Sequence, residues 1–495
     1  MTQRVQRSLK TFQIWYLLFF IALVLTWVSG DALSDRTRFI AYTGFLLVYL
    51  MIEICRTFVT DKVGRLINPV VLASIATFGL QFGITNFMYG PHDEFLAGLL
   101  GERAYYWMSQ AMLYVLLGAF AMWRGFRSQM GVKMAVWLWS WLLSKGILRQ
   151  KLDIRWPFIV LCLVVSLSCR LFQTSLGVFG YSSEMEQLYQ LAAFRMYLDI
   201  GSSLSRLALF GLALSYFART HYHPVHHGVL IFVLFFEITF GFLAGFKGQT
   251  VMPLIILGLA YYSIKRRLPK GLMVTSVFLI FFAFSIIEPF RRERNSDASF
   301  ETRNIKSIGA AIWKQTKKRE LSLASANEIF SEYYSSFLGR LNIVPMAARA
   351  IQHKEEHGLS QGAPRFLKRV LLSPVYAWVP RLLWPTKPTG DLGLWFSIKV
   401  IGMPPTTKSS TGMSPISYLY FAGGWLGIFL GFFVIGMLQR ILYAGLWFAG
   451  VGSFIIFWGL AHPFIEIDSA VDGIFVTLFR FFPLLLIAQR LLFKR

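Results

Sequence analysis

The residues best able to do chemistry in this 495-residue sequence are charges set inside or beside long apolar runs. Arg170, Arg206 and Arg480 fall within such runs, and Glu237 within another. A charge at that depth is costly and is kept where it has a partner or lines a pathway. The competing explanation for each residue alone is snorkelling or an internal salt bridge. A second group lies beyond the ends of the runs. Lys247 sits in the turn Ala244-Gly-Phe-Lys-Gly-Gln249, and Arg291, Arg292, Arg340, Arg381 and Lys387 lie in one long connecting segment. Such groups collected on one face can clamp a phosphate or diphosphate, Arg by paired hydrogen bonds. The plainer alternative is a loop resting on anionic lipid headgroups. His462, Glu466, Asp468 and Asp472 crowd into Ala461-His-Pro-Phe-Ile-Glu-Ile-Asp-Ser-Ala-Val-Asp-Gly473.

Motifs of soluble enzymes are missing. The sequence has no Walker loop, no His-Glu-x-x-His pair and no Gly-rich dinucleotide fingerprint. Without an Asp-x-Asp element, a metal-dependent nucleotide-sugar transferase is not expected. Cys55, Cys162 and Cys169 have neither metal-ligand nor redox spacing. The tract Thr220-His-Tyr-His-Pro-Val-His-His227 has no nearby Cys or carboxylate and reads as a solvated loop rather than a metal site. No metal and no cofactor is expected.

The elements that must position these residues are transmembrane helices. The chain is 55% hydrophobic and 15% charged, with mean hydropathy +0.54, too apolar for a water-soluble domain. Its apolar runs are continuous, which favours helices over the alternating strands of a barrel. Spans are expected at 13–29, 38–54, 66–88, 105–123, 156–173, 202–218, 228–246, 249–264, 271–287, 414–437, 441–460 and 474–489. That makes about twelve, each long enough for a hydrocarbon core of about 30 Å. No cleavable signal peptide is evident, and the first run reads as an uncleaved helix.

The net charge of +24 does not point to nucleic acid, because most Lys and Arg flank the apolar runs. With twelve spans the basic N-tail, second, fourth and eighth loops and C-tail share one side, so both termini are expected in the cytoplasm. Residues 1–288 then hold nine helices, with an interfacial Trp-rich cytoplasmic segment near 131–145. Residues 289–413 form a large basic extracytoplasmic loop, and 414–495 hold three more helices. The stretch 289–415 carries 19 Lys and Arg against 9 Asp and Glu. Long loops translocate largely regardless of charge. Order is expected within it: a capping box at Ser325-Ala-Asn-Glu328, an aromatic helical stripe from Phe330 to Leu341, and a helix around Ala347–His357 ending at Gly358.

Three short elements resemble the Wzy-type polymerases of bacterial surface polysaccharides, the repeat-unit or O-antigen polymerases. They are Gly245-Phe-Lys-Gly-Gln, the aromatic and Pro-rich Tyr376-Ala-Trp-Val-Pro-Arg-Leu-Leu-Trp-Pro-Thr-Lys-Pro388, and Ser414-Pro-Ile-Ser-Tyr-Leu-Tyr-Phe-Ala-Gly-Gly-Trp-Leu-Gly427. Span number and loop position also match. Lys247 stands where such proteins show Arg, keeping the charge but losing the bidentate fork. The resemblance implies an all-α, GT-C-like fold in the bacterial inner membrane. It implies metal-independent glycosyl transfer from an undecaprenyl-diphosphate-linked oligosaccharide, with a chain-length regulator and a flippase as possible partners. On that reading Lys247, Arg291, Arg292, Arg340, Arg381 and Lys387 bind diphosphate, and Tyr376 and Trp384 touch lipid or sugar. The base for the acceptor hydroxyl comes from Glu466, Asp468, His462 or Glu328. An O-antigen ligase is the nearest alternative; a lipid-linked glycan flippase would show paired halves, and the sequence has no internal repeat.

Overall fold

The computed structural model describes residues 3–28, 32–61, 67–88, 93–180, 192–219, 224–279, 341–358, 364–405, 411–448, 452–467 and 471–494. Within these ranges, 246, 268, 277, 380–382, 385–386 and 389–391 are excepted. The described residues form helices and one isolated bridge, Ile154 to Phe493. Helix α1 spans Gln3–Val28 and α2 spans Asp35–Thr60, the latter opened by Ser34, whose hydroxyl accepts from Thr37 N at 3.2 Å. Helix α3 runs as α over Pro69–Ala73, widens to a π-helix over Ser74–Ile84 and returns to α at Thr85–Met88. Then come α4 (Asp93–Leu100), α5 (Ala104–Arg127), α6 (Gln129–Ser144), α7 (Trp156–Ser175), α8 (Ala192–Ala218), α9 (Pro224–Leu243) and α10 (Lys247–Lys265). The connecting region contributes α11 (Val344–His357), α12 (Phe366–Leu371), α13 (Ser373–Trp378) and α14 (Leu392–Lys399). The chain finishes with α15 (Pro415–Phe448), α16 (Ser453–Ile465) and α17 (Val471–Leu492).

Seven of the described helices are long and apolar enough to cross a bilayer: Asp35–Thr60, Pro69–Phe87, Trp156–Ser175, Phe194–Ala218, Pro224–Leu243, Pro415–Leu446 and Val471–Leu492. The chain is a helical membrane protein. Apolar side chains cover its outer faces, with Leu17, Leu25, Phe232 and Phe235 each more than 60% exposed. The expected span at 271–287 lies mostly outside the described residues.

The two late spans expected at 414–437 and 441–460 need correction. Leu438, Gln439 and Arg440 lie inside α15, and the break comes earlier, where Gly423 and Gly424 leave helical geometry and Gly424 takes φ +62°. Polar side chains at 439 and 440 imitate a loop in the sequence. In the structure Gln439 is buried and donates to Phe464 O at 2.6 Å, while the Arg440 guanidinium lies over the Phe126 ring. The following helix, α16, has only 13 residues, so it reaches about 20 Å. It does not cross a core of about 30 Å by itself.

The core is centred on α5 and α15, which cross closely because glycines face each other's backbones. A Cβ on Gly125 would collide with Phe433 O, and one on Gly436 with Met122 O. One end of the bundle gathers basic segments. There Trp139 Nε1 donates to Ile441 O at 2.7 Å, Gln489 Nε2 to Ile147 O at 2.7 Å, and Arg155 N to Leu492 O at 2.8 Å. Helix α6, expected at 131–145, packs there on α15 through Ala135, Trp139 and Leu142, leaving Trp137 and Trp141 exposed. The opposite end carries α4 and α11–α14. Gly358, φ +65°, ends α11 where the sequence places a helix stop. The expected capping box at Ser325–Glu328 and the stripe from Phe330 to Arg340 lie outside the described residues.

Candidate functional site

Two polar clusters lie within the helix bundle. The first is buried between α7, α8 and α9. Glu237, fully enclosed, accepts from Arg170 Nη2 at 2.6 Å and Arg206 Nε at 3.1 Å, and from the Ser205 hydroxyl. Arg170 also donates to Ser202 O, and its guanidinium lies over the Phe236 and Phe240 rings. Arg206 reaches Gln249 of α10 at 3.4 Å and stays 29% exposed. Two guanidinium groups against one carboxylate leave the cluster with one positive charge. Arg170 is locked; Arg206 is the cation able to face a further anion. Close packing supports this: Gly241 admits the backbone of Gln249 and Thr250, and Gly245, φ +67°, makes the turn before α10. Of the intramembrane charges seen in the sequence, Arg170, Arg206 and Glu237 thus come together as an ion network.

The second cluster is an acid–base pair at the end of α16. His462 Nε2 donates to Glu466 Oε2 at 3.2 Å, and both side chains are well exposed. That hydrogen bond holds the Glu466 carboxyl below its ordinary value, against the opposing effect of burial, with the electrostatic pull of His462 adding to it. The backbone on either side is pinned by one residue of the π-helix. Thr77 Oγ1 donates to Ile465 O at 3.2 Å and accepts from Ile467 N at 3.0 Å. π-Helical turns recur at functional sites because the wider turn frees backbone and re-aims side chains. Here the π-helix, anchored by Trp123 Nε1 to Ser74 Oγ at 2.9 Å, sets where Glu466 emerges.

The connecting region packs down the side of α17. Arg369 of α12 pairs with Asp472 in the first turn of α17 at 2.9 Å. Arg480, eight residues further on and therefore about 12 Å deeper, donates to Ala377 O of α13 at 3.1 Å. Lys387 donates to Tyr376 O at 2.6 Å and Val379 O at 3.0 Å, closing the C-terminus of α13. Trp384 packs its ring 5.6 Å from that of Tyr376, which is buried. On the other side, Lys354 of α11 donates to Tyr420 O at 2.6 Å, a carbonyl left over by the glycine break in α15. Burial lowers the Lys354 ammonium, opposed by Glu355, which accepts from the Tyr420 hydroxyl.

Of the residues singled out in the sequence, His462 and Glu466 are brought together, and Asp472 is engaged by Arg369. Tyr376, Trp384 and Lys387 form one packed unit, in which the Lys387 ammonium serves two carbonyls. Lys247 opens α10. Asp468, Arg291, Arg292, Arg340, Arg381 and Glu328 lie outside the described residues, as do His221 and His223 of the histidine tract. His226 is buried and paired with Leu212 O, and His227 with the Tyr216 hydroxyl. Arg369 and Lys354 were not anticipated. Their signal is faint: each is a cation three residues from a buried apolar side chain, Phe366 for Arg369 and Ile351 for Lys354. Among the described residues, no group of three or more His, Cys, Asp or Glu is placed to hold a metal.

A family of domains of unknown function, DUF8712, matches residues 147–493. The chain belongs to this family. The chain matches no curated protein and no solved structure. The DUF8712 segment closes on itself in the fold: Gln489 reaches Ile147 O, and Ile154 pairs with Phe493. Both polar clusters have their charged groups inside it, whereas Thr77 and the core helix α5 are supplied by the preceding residues.

Proposed function

We propose that this protein is a lipid-diphosphate-dependent glycosyltransferase of the polysaccharide-polymerase type, at the outer face of a bacterial inner membrane. It transfers a glycan from undecaprenyl diphosphate onto another lipid-linked repeat unit. In this reading α1, α5, α10 and the 271–287 segment join the seven long apolar helices to make eleven full spans, with α16 a partial twelfth, in a GT-C-like arrangement.

The observation that carries the reading is the His462–Glu466 pair, held by Thr77 and left exposed at the end of a helix too short to cross. A glycosyl acceptor must lose a hydroxyl proton as the bond to the anomeric carbon forms, and a carboxylate steadied by an imidazole is suited to take it. The leaving diphosphate gains negative charge, which fixed cations stabilise. Arg206 is available for this, and Lys247, Arg291, Arg292, Arg340 and Arg381 are the sequence candidates. Arg369 and Arg480 dock the connecting region against α17 and so shape the site, while Lys387, also a sequence candidate, closes α13.

The test is purified protein incubated with an undecaprenyl-diphosphate repeat unit, with neither metal nor nucleotide sugar added. A ladder of lengthening products is expected, and it should vanish in Glu466→Gln. A glycan moved only onto a lipid A core acceptor would make the protein a ligase. No transfer at all, with repeat units crossing the bilayer of proteoliposomes, would make it a flippase.

A further inference from the structure

Another polar site lies outside the family-matched segment, between α1, α2 and α5. It is a partly open cavity of about 270 Å3 lined by Trp27, Arg38, Tyr42, Ser109, Gln110 and Leu113. That volume falls below the range of about 300–1,000 Å3 typical of sites for drug-sized ligands. It suits a headgroup rather than a whole glycan.

Its chemistry is that of an oxyanion receptor. Arg38 Nη2 is held by Asp35 one turn back, while its Nε is buried and has no hydrogen-bond partner. A buried guanidinium N–H without a partner is costly, and a small turn of the guanidinium toward the cavity that brings it an incoming oxygen removes that cost. Gln110 adds an amide, and Ser109 a hydroxyl that otherwise donates to Tyr106 O at 2.8 Å. Next to the cavity runs the bare face of α1. Ile14, Leu17, Leu18, Ile21, Val24 and Leu25 are all about half or more exposed, and Trp27 at its end is 65% exposed. From Ile14 to Trp27 is about 20 Å of helix, comparable to an acyl chain. Trp is also the side chain favoured at headgroup depth.

We propose that this cavity binds the phosphate of an anionic glycerophospholipid, with the Arg38 guanidinium as the principal donor and the acyl chains lying along α1. The site is separate from the proposed transferase centre and does not depend on it. Occupancy completes the hydrogen bonding of Arg38 and ties α1 to α2 and α5.

The experiment is native mass spectrometry of the full chain from detergent, with added phosphatidylglycerol or phosphatidylcholine of identical acyl chains. Retention of phosphatidylglycerol over phosphatidylcholine is expected, and Arg38→Gln should weaken it roughly tenfold, the worth of one charge-assisted hydrogen bond. Gln110→Ala, which leaves the Asp35–Arg38 pair intact, should weaken it less but measurably. Equal retention of the two lipids overturns the proposal. So does unchanged phosphatidylglycerol binding in both variants, or its displacement by glycerol phosphate without acyl chains.

Discussion

Removing the carboxylate of Glu237 is the sharpest perturbation the structure offers. Glu237 is fully enclosed and Arg170 only 5% exposed at the side chain, so neither charge can recover its solvation by a rotamer change. Glu237→Ala strands the Arg170 guanidinium among Phe236, Phe240 and the serines of α8. Breaking a buried pair from one side costs about 3–5 kcal/mol, because the remaining charge is uncompensated. Arg206→Ala should cost far less, about 1 kcal/mol or below, since Arg206 is 29% exposed and screened. The decisive comparison is the double variant Arg170→Met with Glu237→Met, which replaces the pair by apolar groups that also pack on aromatic rings. It should lie within about 2 kcal/mol of wild type, because replacing a buried pair by well-packed apolar residues is often neutral. Denaturant titration in mixed micelles, followed by tryptophan fluorescence, reads all four proteins. If Glu237→Ala loses less than about 1 kcal/mol, or the double variant is worse than the single, the buried-charge argument is wrong.

Other consequences can be checked separately. Gly436→Ala and Gly125→Ala should each destabilise the fold by more than about 2 kcal/mol, read as loss of monodisperse protein on size exclusion, because backbone carbonyls occupy the space a methyl needs. Thr77→Val should lower transfer activity while leaving the fold intact, since it removes two hydrogen bonds worth about 1 kcal/mol each that flank Glu466. The depressed Glu466 carboxyl is ionised, and its pairing with His462 present, above the ordinary carboxylate range; both are lost as pH falls through the lowered value. His462→Gln should therefore move the acidic limb of the pH–rate profile upward. Lys354→Met should raise hydrogen exchange at residues 420–425, where its ammonium now closes the helix break.

Much of the fold is legible without coordinates. Continuous apolar runs fix helices by backbone hydrogen bonding that lipid cannot replace, and most expected spans fall on described helices, although α1 and α8 each begin ten residues before the expected start. The helix stop at Gly358 and the helical Trp-rich segment before Lys145 are local features, and each appears as its composition dictates. Hydropathy failed where a polar pair inside a helix imitates a loop. Gln439 and Arg440 lie inside α15 because Phe464 O and the Phe126 ring receive them, partners distant in the chain. The π-helix at Ser74–Ile84 was equally unreadable, since its hydrogen-bond register depends on Trp123 and on the turn after α16.

The same division holds for the candidate site. Residue type and spacing were enough to mark Arg170, Arg206 and Glu237 as buried charges in need of partners, and to group His462 and Glu466 in one short segment; that His462 lies within a helix, one turn before Glu466, came from the fold. It took the packing of the helices to make the first three satisfy one another, to turn Lys387 into a helix closure, and to let Thr77, more than three hundred residues away, aim Glu466. Residue type fixes the cost of burial, whereas the partner that offsets it is chosen by contacts between helices distant in the chain.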